Sequence, residues 1–163
     1  MEHQTAVNLI AHGYAPESWL NWPARVDDLE KLCRSYSGEN ATACWKEITH
    51  AALVKFRHDP NKIFDFCNGA QLVEGAKACK RHAIGIMAGG KNFDIESLKY
   101  ICTIKQPTND PTFENECYAI LVSSKLFYTL PKESKDVVSF CASLKDEFRS
   151  SCFRQIGFAL TGR

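Results

Sequence analysis

The feature that most constrains this chain is a period in its cysteines, and a repeat at a fixed period decides a fold before any local signal does. The eight are Cys33, Cys44, Cys67, Cys79, Cys102, Cys117, Cys141 and Cys152. Taken alternately they form two series. Cys33, Cys67, Cys102 and Cys141 step by 34, 35 and 39 residues, and Cys44, Cys79, Cys117 and Cys152 by 35, 38 and 35. From each second cysteine to the next first one the walk is nearly constant, at 23, 23 and 24 residues. The variable part is the span inside each pair, 11, 12, 15 and 11 residues.

The neighbours of the cysteines repeat with them. Leu32, Phe66, Ile101 and Phe140 stand one residue before the first cysteines, and Leu29, Ile63, Leu98 and Val137 four before. Ile48, Ala83, Leu121 and Ile156 stand four residues after the second cysteines. Apolar positions at spacings of three and four mark one face of an α-helix. The pattern predicts that each first cysteine ends an amphipathic helix A and each second cysteine opens an amphipathic helix B. Small residues follow on B (Ala51 and Ala52, Gly85, Ser123 and Ser124, Gly157 and Ala159), which lets neighbouring helices approach closely.

Turn-forming residues fall between the predicted helices. Ser37-Gly38-Glu39-Asn40 lies inside the first pair, and Pro107, Asn109, Asp110 and Pro111 lie inside the third. Proline removes a helical donor and clashes with the preceding turn, so no single helix carries both Cys102 and Cys117. Asp59-Pro60-Asn61, Gly89-Gly90-Lys91-Asn92 and Leu130-Pro131-Lys132 break the chain between pairs. Each unit therefore reads as helix A, a loop closed by cysteines, helix B, then a turn. At ~1.5 Å per residue the 23-residue walk makes two legs of ~15 Å each, which places the cysteine pairs at one end of the hairpins.

Eight cysteines admit 105 pairings. The repeat selects Cys33–Cys44, Cys67–Cys79, Cys102–Cys117 and Cys141–Cys152, whereas the shifted scheme strands Cys33 and Cys152 at opposite ends. The alternative use of these residues is as reduced, buried core side chains. Disulfides persist in secreted and periplasmic compartments. Met1-Glu2-His3-Gln4 has neither the basic start nor the apolar core of a signal peptide. The expectation is an extracellular or periplasmic protein whose export signal or upstream membrane segment lies outside these 163 residues.

Helix–cysteine–loop–cysteine–helix units of this size resemble the cysteine-rich branch of the Sel1-like repeats, α/α solenoids related to tetratricopeptide repeats. Phe66-Cys67 through Ala78-Cys79-Lys80-Arg81-His82-Ala83-Ile84-Gly85 carries the resemblance best, which spans about residues 26–161. The glycine-rich signature between the helices of that family is missing, and the loops between cysteines are longer here. The resemblance implies an exported protein that binds other proteins or cell-envelope components. It supplies no site, because fold analogy alone cannot.

Motifs that carry chemistry are few. No C-x(2–4)-C knuckle speaks for zinc, and no C-x-x-C speaks for redox or haem chemistry. There is no H-E-x-x-H, P-loop, G-x-G-x-x-G or G-x-S-x-G. No catalytic residue and no cofactor is assigned. Of the five histidines, His12 and His50 are the candidates for a metal ligand pair or an acid and base, against a bland reading as ordinary surface or part-buried imidazoles. Tyr14, Trp19 and Trp22 are a candidate binding surface, since such side chains dominate hot spots. The preferred reading is a cap over the exposed face of a terminal repeat. Lys77, Lys80 and Arg81 read as a solvated basic face. Gly85, Gly89 and Gly90 read as a helix end. Asn40-Ala41-Thr42 is a glycosylation sequon in the first loop.

The net charge of +1 is spread along the chain, without the basic patch of a nucleic-acid binder. No apolar run approaches the ~20 residues of a spanning helix. The chain is expected to be all-α, with an N-terminal helix and aromatic cap over residues 1–25. Residues 26–163 should then form four disulfide-paired hairpins stacked as an α/α superhelix, the whole being one domain. The expected role is an exported interaction module for a protein or cell-envelope partner. The alternatives are a metal-dependent or hydrolytic domain with a site between hairpins, and a structural spacer of a larger membrane or secreted protein.

Overall fold

Four helical hairpins account for the chain as a computed structural model describes it, over residues 22–90, 95–104, 111–128 and 134–161. Among these residues there are eight helices and no strand. They are α1 (Trp22–Ser35), α2 (Gly38–Lys55), α3 (Pro60–Asn68), α4 (Val73–Gly89), α5 (Ile95–Thr103), α6 (Pro111–Tyr128), α7 (Ser134–Ser143) and α8 (Asp146–Thr161). Odd-numbered helices are the A helices and even-numbered ones the B helices.

Four disulfides join Cys33 to Cys44, Cys67 to Cys79, Cys102 to Cys117 and Cys141 to Cys152. Their Cα–Cα distances run from 5.4 to 5.6 Å, within the ordinary range for a bridge. All eight cysteines are buried. Each first cysteine lies in the last turn of its A helix. Each second cysteine, however, is the seventh residue of its B helix rather than its opening residue. The B helices thus begin six residues earlier than the cysteines suggest. The differing spans within the pairs arise between the helices: residues 36–37, 69–72 and 144–145 separate the first, second and fourth pairs of helices, and α6 begins eight residues after α5 ends. Pro111 opens α6, where its missing N–H costs nothing.

The early start of α2 corrects the reading of Gly38–Asn40 as loop. Ser37 is extended (φ −130°, ψ 162°), and the helix begins at Gly38, itself left-handed at φ +57°. Asn40 and Thr42 therefore lie in helix, and Thr42 Oγ1 donates back to the Gly38 carbonyl at 3.4 Å. Polar, glycine-containing residues suit a first helical turn as well as a loop. At the other end of α2, Arg57 and His58 adopt left-handed conformations (φ 52° and 59°). His58 N–H returns to the Leu53 carbonyl at 2.8 Å, closing the helix. Asp59 then caps α3, its carboxylate accepting from the N–H groups of Asn61 (3.0 Å) and Lys62 (3.3 Å). Pro60 follows at the first helical position.

The chain forms two compact units, the first ending at Ala83 and the second starting at Ile84, within α4. In the first, α2 packs on both α1 and α3. Its core holds Val26, Leu29, Trp45, Ile48, Leu53, Ile63 and Phe64, all buried. Trp45 meets Phe66 with ring centroids 5.3 Å apart. Thr49 is wholly buried and donates to the Trp45 carbonyl at 2.9 Å, so its hydroxyl goes into the core satisfied. Lys55 reaches across from α2 to Asp27 of α1 at 2.6 Å.

In the second unit α6 contacts α5, α7 and α8, and α7 packs on α8. Leu98, Ile101, Leu121, Val122, Val137 and Phe140 form its core. Tyr118 lies 5.3 Å from Phe148 and 6.0 Å from Phe140, centroid to centroid. Gly85 is not at a helix end: it sits inside α4, where a Cβ would lie 3.4 Å from Ser124 Oγ of α6. Gly157 of α8, by contrast, faces nothing within 4 Å among the described residues. Of the apolar flanks, Leu32 and Ile156 are half-buried.

Candidate functional site

Two features of the first unit bear on function. One joins the B helices of successive hairpins. His50 of α2 and His82 of α4 meet Nε2 to Nε2 at 2.8 Å, with ring planes at 75° and centroids 4.7 Å apart. In a neutral pair one ring carries its proton on Nε2 and donates it; the other keeps its proton on Nδ1 and offers the Nε2 lone pair. Both rings are half-buried. The ligand pair read from the sequence was His12 with His50. His12 lies outside the described residues, and the partner that the fold gives His50 is His82.

The signal for this pair was present but hidden by the repeat. His50 stands six residues after its cysteine and His82 three after its own, so the two do not align as equivalent positions. They meet because the fold brings side chains of α2 and α4 together at this point. Trp45 and Gly75 meet across the same two helices, where a Cβ on Gly75 would lie 3.3 Å from Trp45 Cδ1.

The other feature is a groove beside the first bridge. Glu39, Thr42, Ala43 and Lys46 of α2 form one wall, and Leu72 and Val73 before and at the start of α4 form the other. Val73 is 61% and Leu72 39% exposed, an apolar pair in a lining that also holds Glu39, Lys46 and Glu74. A smaller, half-open apolar cavity of about 20 Å³ lies in the second unit among Leu98, Leu121, Val137 and Phe140. It holds at most a water-sized void in an apolar lining, so it is a packing gap rather than a ligand site.

Lys80 corrects the reading of a solvated basic face. It is 7% exposed, and burial pushes its ammonium below the ordinary lysine value, with the Asp65 carboxylate of α3 acting in the opposite direction. Lys77 pairs with Glu74 at 3.8 Å, and Arg81 is exposed. In the second unit the Tyr118 hydroxyl donates to Glu114 Oε1 at 3.1 Å. Burial first, and then the Glu114 charge and hydrogen bond, raise the Tyr118 pKa well above that of an ordinary phenol.

Tyr14 and Trp19 lie outside the described residues, as does the side chain of Trp22, whose backbone opens α1. Among the described residues no group of three or more His, Cys, Asp or Glu side chains is arranged to hold a metal ion. No described helix is long and apolar enough to cross a membrane. No family model, no curated protein and no solved structure matches this chain.

Proposed function

We propose that the chain is an exported helical-hairpin interaction module that binds a protein or cell-envelope partner. The observation that carries this reading is the groove beside the Cys33–Cys44 bridge, which exposes Leu72 and Val73 in a lining shared with the charged Glu39, Lys46 and Glu74. An apolar strip with a charged rim is the anatomy of a small protein-recognition surface. Four buried disulfides support the exported setting, since such bridges persist where the compartment is oxidising.

The test is affinity capture from the envelope and extracellular fractions of the source cells, run beside a Leu72→Asp/Val73→Glu variant with unchanged helical content. A specific partner retained by the parent chain and lost by the variant supports the groove. A partner retained equally by both assigns binding to another surface. No partner for either leaves the spacer role in its place.

A second reading, a metal-dependent or hydrolytic domain, is favoured by one observation, the 2.8 Å contact of His50 with His82. Metal analysis of the purified protein with and without His50→Ala tests it. Stoichiometric metal that disappears on substitution, together with turnover, supports that reading; a metal-free, folded and inert protein removes it.

A further inference from the structure

We propose that His50 and His82 form a two-histidine chelate for a late divalent transition-metal ion, Cu²⁺ or Ni²⁺, which clasps the first hairpin to the second. The geometry points to this directly. Two ligand atoms held at ~2.0–2.1 Å from an ion and at right angles to each other are separated by ~2.9 Å. The observed Nε2–Nε2 distance is 2.8 Å. That is the length of the hydrogen bond the ion would replace, and it lies nearer the bite of a square-planar or octahedral ion than the ~3.3 Å of a tetrahedral one. Cu²⁺ and Ni²⁺ therefore need less movement of the helices than Zn²⁺ does.

The rings are also tilted. A centroid separation of 4.7 Å is shorter than a head-on approach of two imidazoles at this nitrogen distance allows. At least one ring is thus turned off the line joining the nitrogens, and bonds from both to one ion need both lone pairs turned toward a common point.

Each ligand helix is held in advance against its own A helix. His50 follows Cys44 by six residues and His82 follows Cys79 by three, and each cysteine is bridged to its own A helix. Ordering already done by the bridges is not charged to binding. Half-burial leaves a path for the ion, and water fills its remaining positions. On binding, two nitrogen–metal bonds replace two metal–water bonds. The ring that carried its proton on Nε2 takes it on Nδ1 instead, by exchange through water, so a neutral pair releases no proton. With two protein ligands the ion clasps α2 to α4, a role that requires no turnover.

The test uses the full chain, untagged and chelator-stripped, carrying His3→Ala, His12→Ala and His58→Asn. Asparagine is chosen at 58 because it tolerates the left-handed backbone there. His50 and His82 are then the only imidazoles. Calorimetric titration should show one ion per chain, Cu²⁺ tighter than Ni²⁺, and His82→Gln should weaken binding by roughly a hundredfold, the gain from a second tethered ligand. Substoichiometric Ni²⁺ should broaden the imidazole proton resonances of both histidines in the unsubstituted pair, which needs no further variant to fold. Absence of binding, binding untouched by His82→Gln, or broadening of one ring alone overturns the proposal.

Discussion

Gly75 faces the indole of Trp45 so closely that a Cβ on it would stand 3.3 Å from Trp45 Cδ1. Trp45 is 1% exposed, held by Phe66 and with the Arg34 guanidinium 6.0 Å from its ring centre, so it has little room to yield. Gly75→Ala gains up to ~1 kcal/mol of helix propensity but overpacks the contact by ~1–3 kcal/mol. A net loss of about 1 kcal/mol is expected in urea denaturation. Gly157→Ala, with nothing within 4 Å among the described residues, should instead stabilise by ~0.5–1 kcal/mol. A gain at both positions would mean that α2 and α4 do not pack as described.

Tyr118 should make the protein sensitive to alkali. Its folded pKa lies above the ordinary value near 10, so its contribution is fully present below that pH and is lost as pH rises beyond it. There the unfolded chain ionises and the folded chain does not. Lys80 works in the opposite sense below 10.5, because the folded chain gives up this proton first and stability rises with pH through that interval. Tyr118→Phe should flatten the loss of stability between pH 10 and 12, and Lys80→Met should flatten the rise below it. Denaturation curves at stepped pH read both slopes.

Removing the Cys102–Cys117 bridge as a double alanine variant should cost ~3 kcal/mol, since it opens a loop of 15 residues. The loss should appear as a lower denaturation midpoint. An unchanged midpoint would mean that this bridge is not a staple.

Asp59→Ala should cost ~1 kcal/mol by uncapping α3, where its carboxylate holds the N–H groups of Asn61 and Lys62. Asp59→Asn should recover most of it, because an amide oxygen caps nearly as well. Thermal melts of the pair distinguish the cap from a general charge effect.

The cysteine period was enough to read the hairpins, because a bridge needs two helices brought within ~6 Å at matched places. The apolar flanks followed the same period, and Leu29, Ile63, Leu98 and Val137 are all buried. The starts of the B helices were harder, since Gly38-Glu39-Asn40 is as acceptable in a first helical turn as in a loop. Lys80 misled because charge signals exposure in sequence, while packing beside α3 decided its burial. The contact of His50 with His82 depends on where the fold places α4 relative to α2, and spacing within one helix carries no record of that.

The most direct test of the four stapled hairpins is peptide mapping of the protein under non-reducing conditions, taken from the compartment where it acts. Four linked peptide pairs are expected, 33 with 44, 67 with 79, 102 with 117 and 141 with 152, and no free thiol. Eight alkylatable thiols, or links between cysteines of different hairpins, would contradict it.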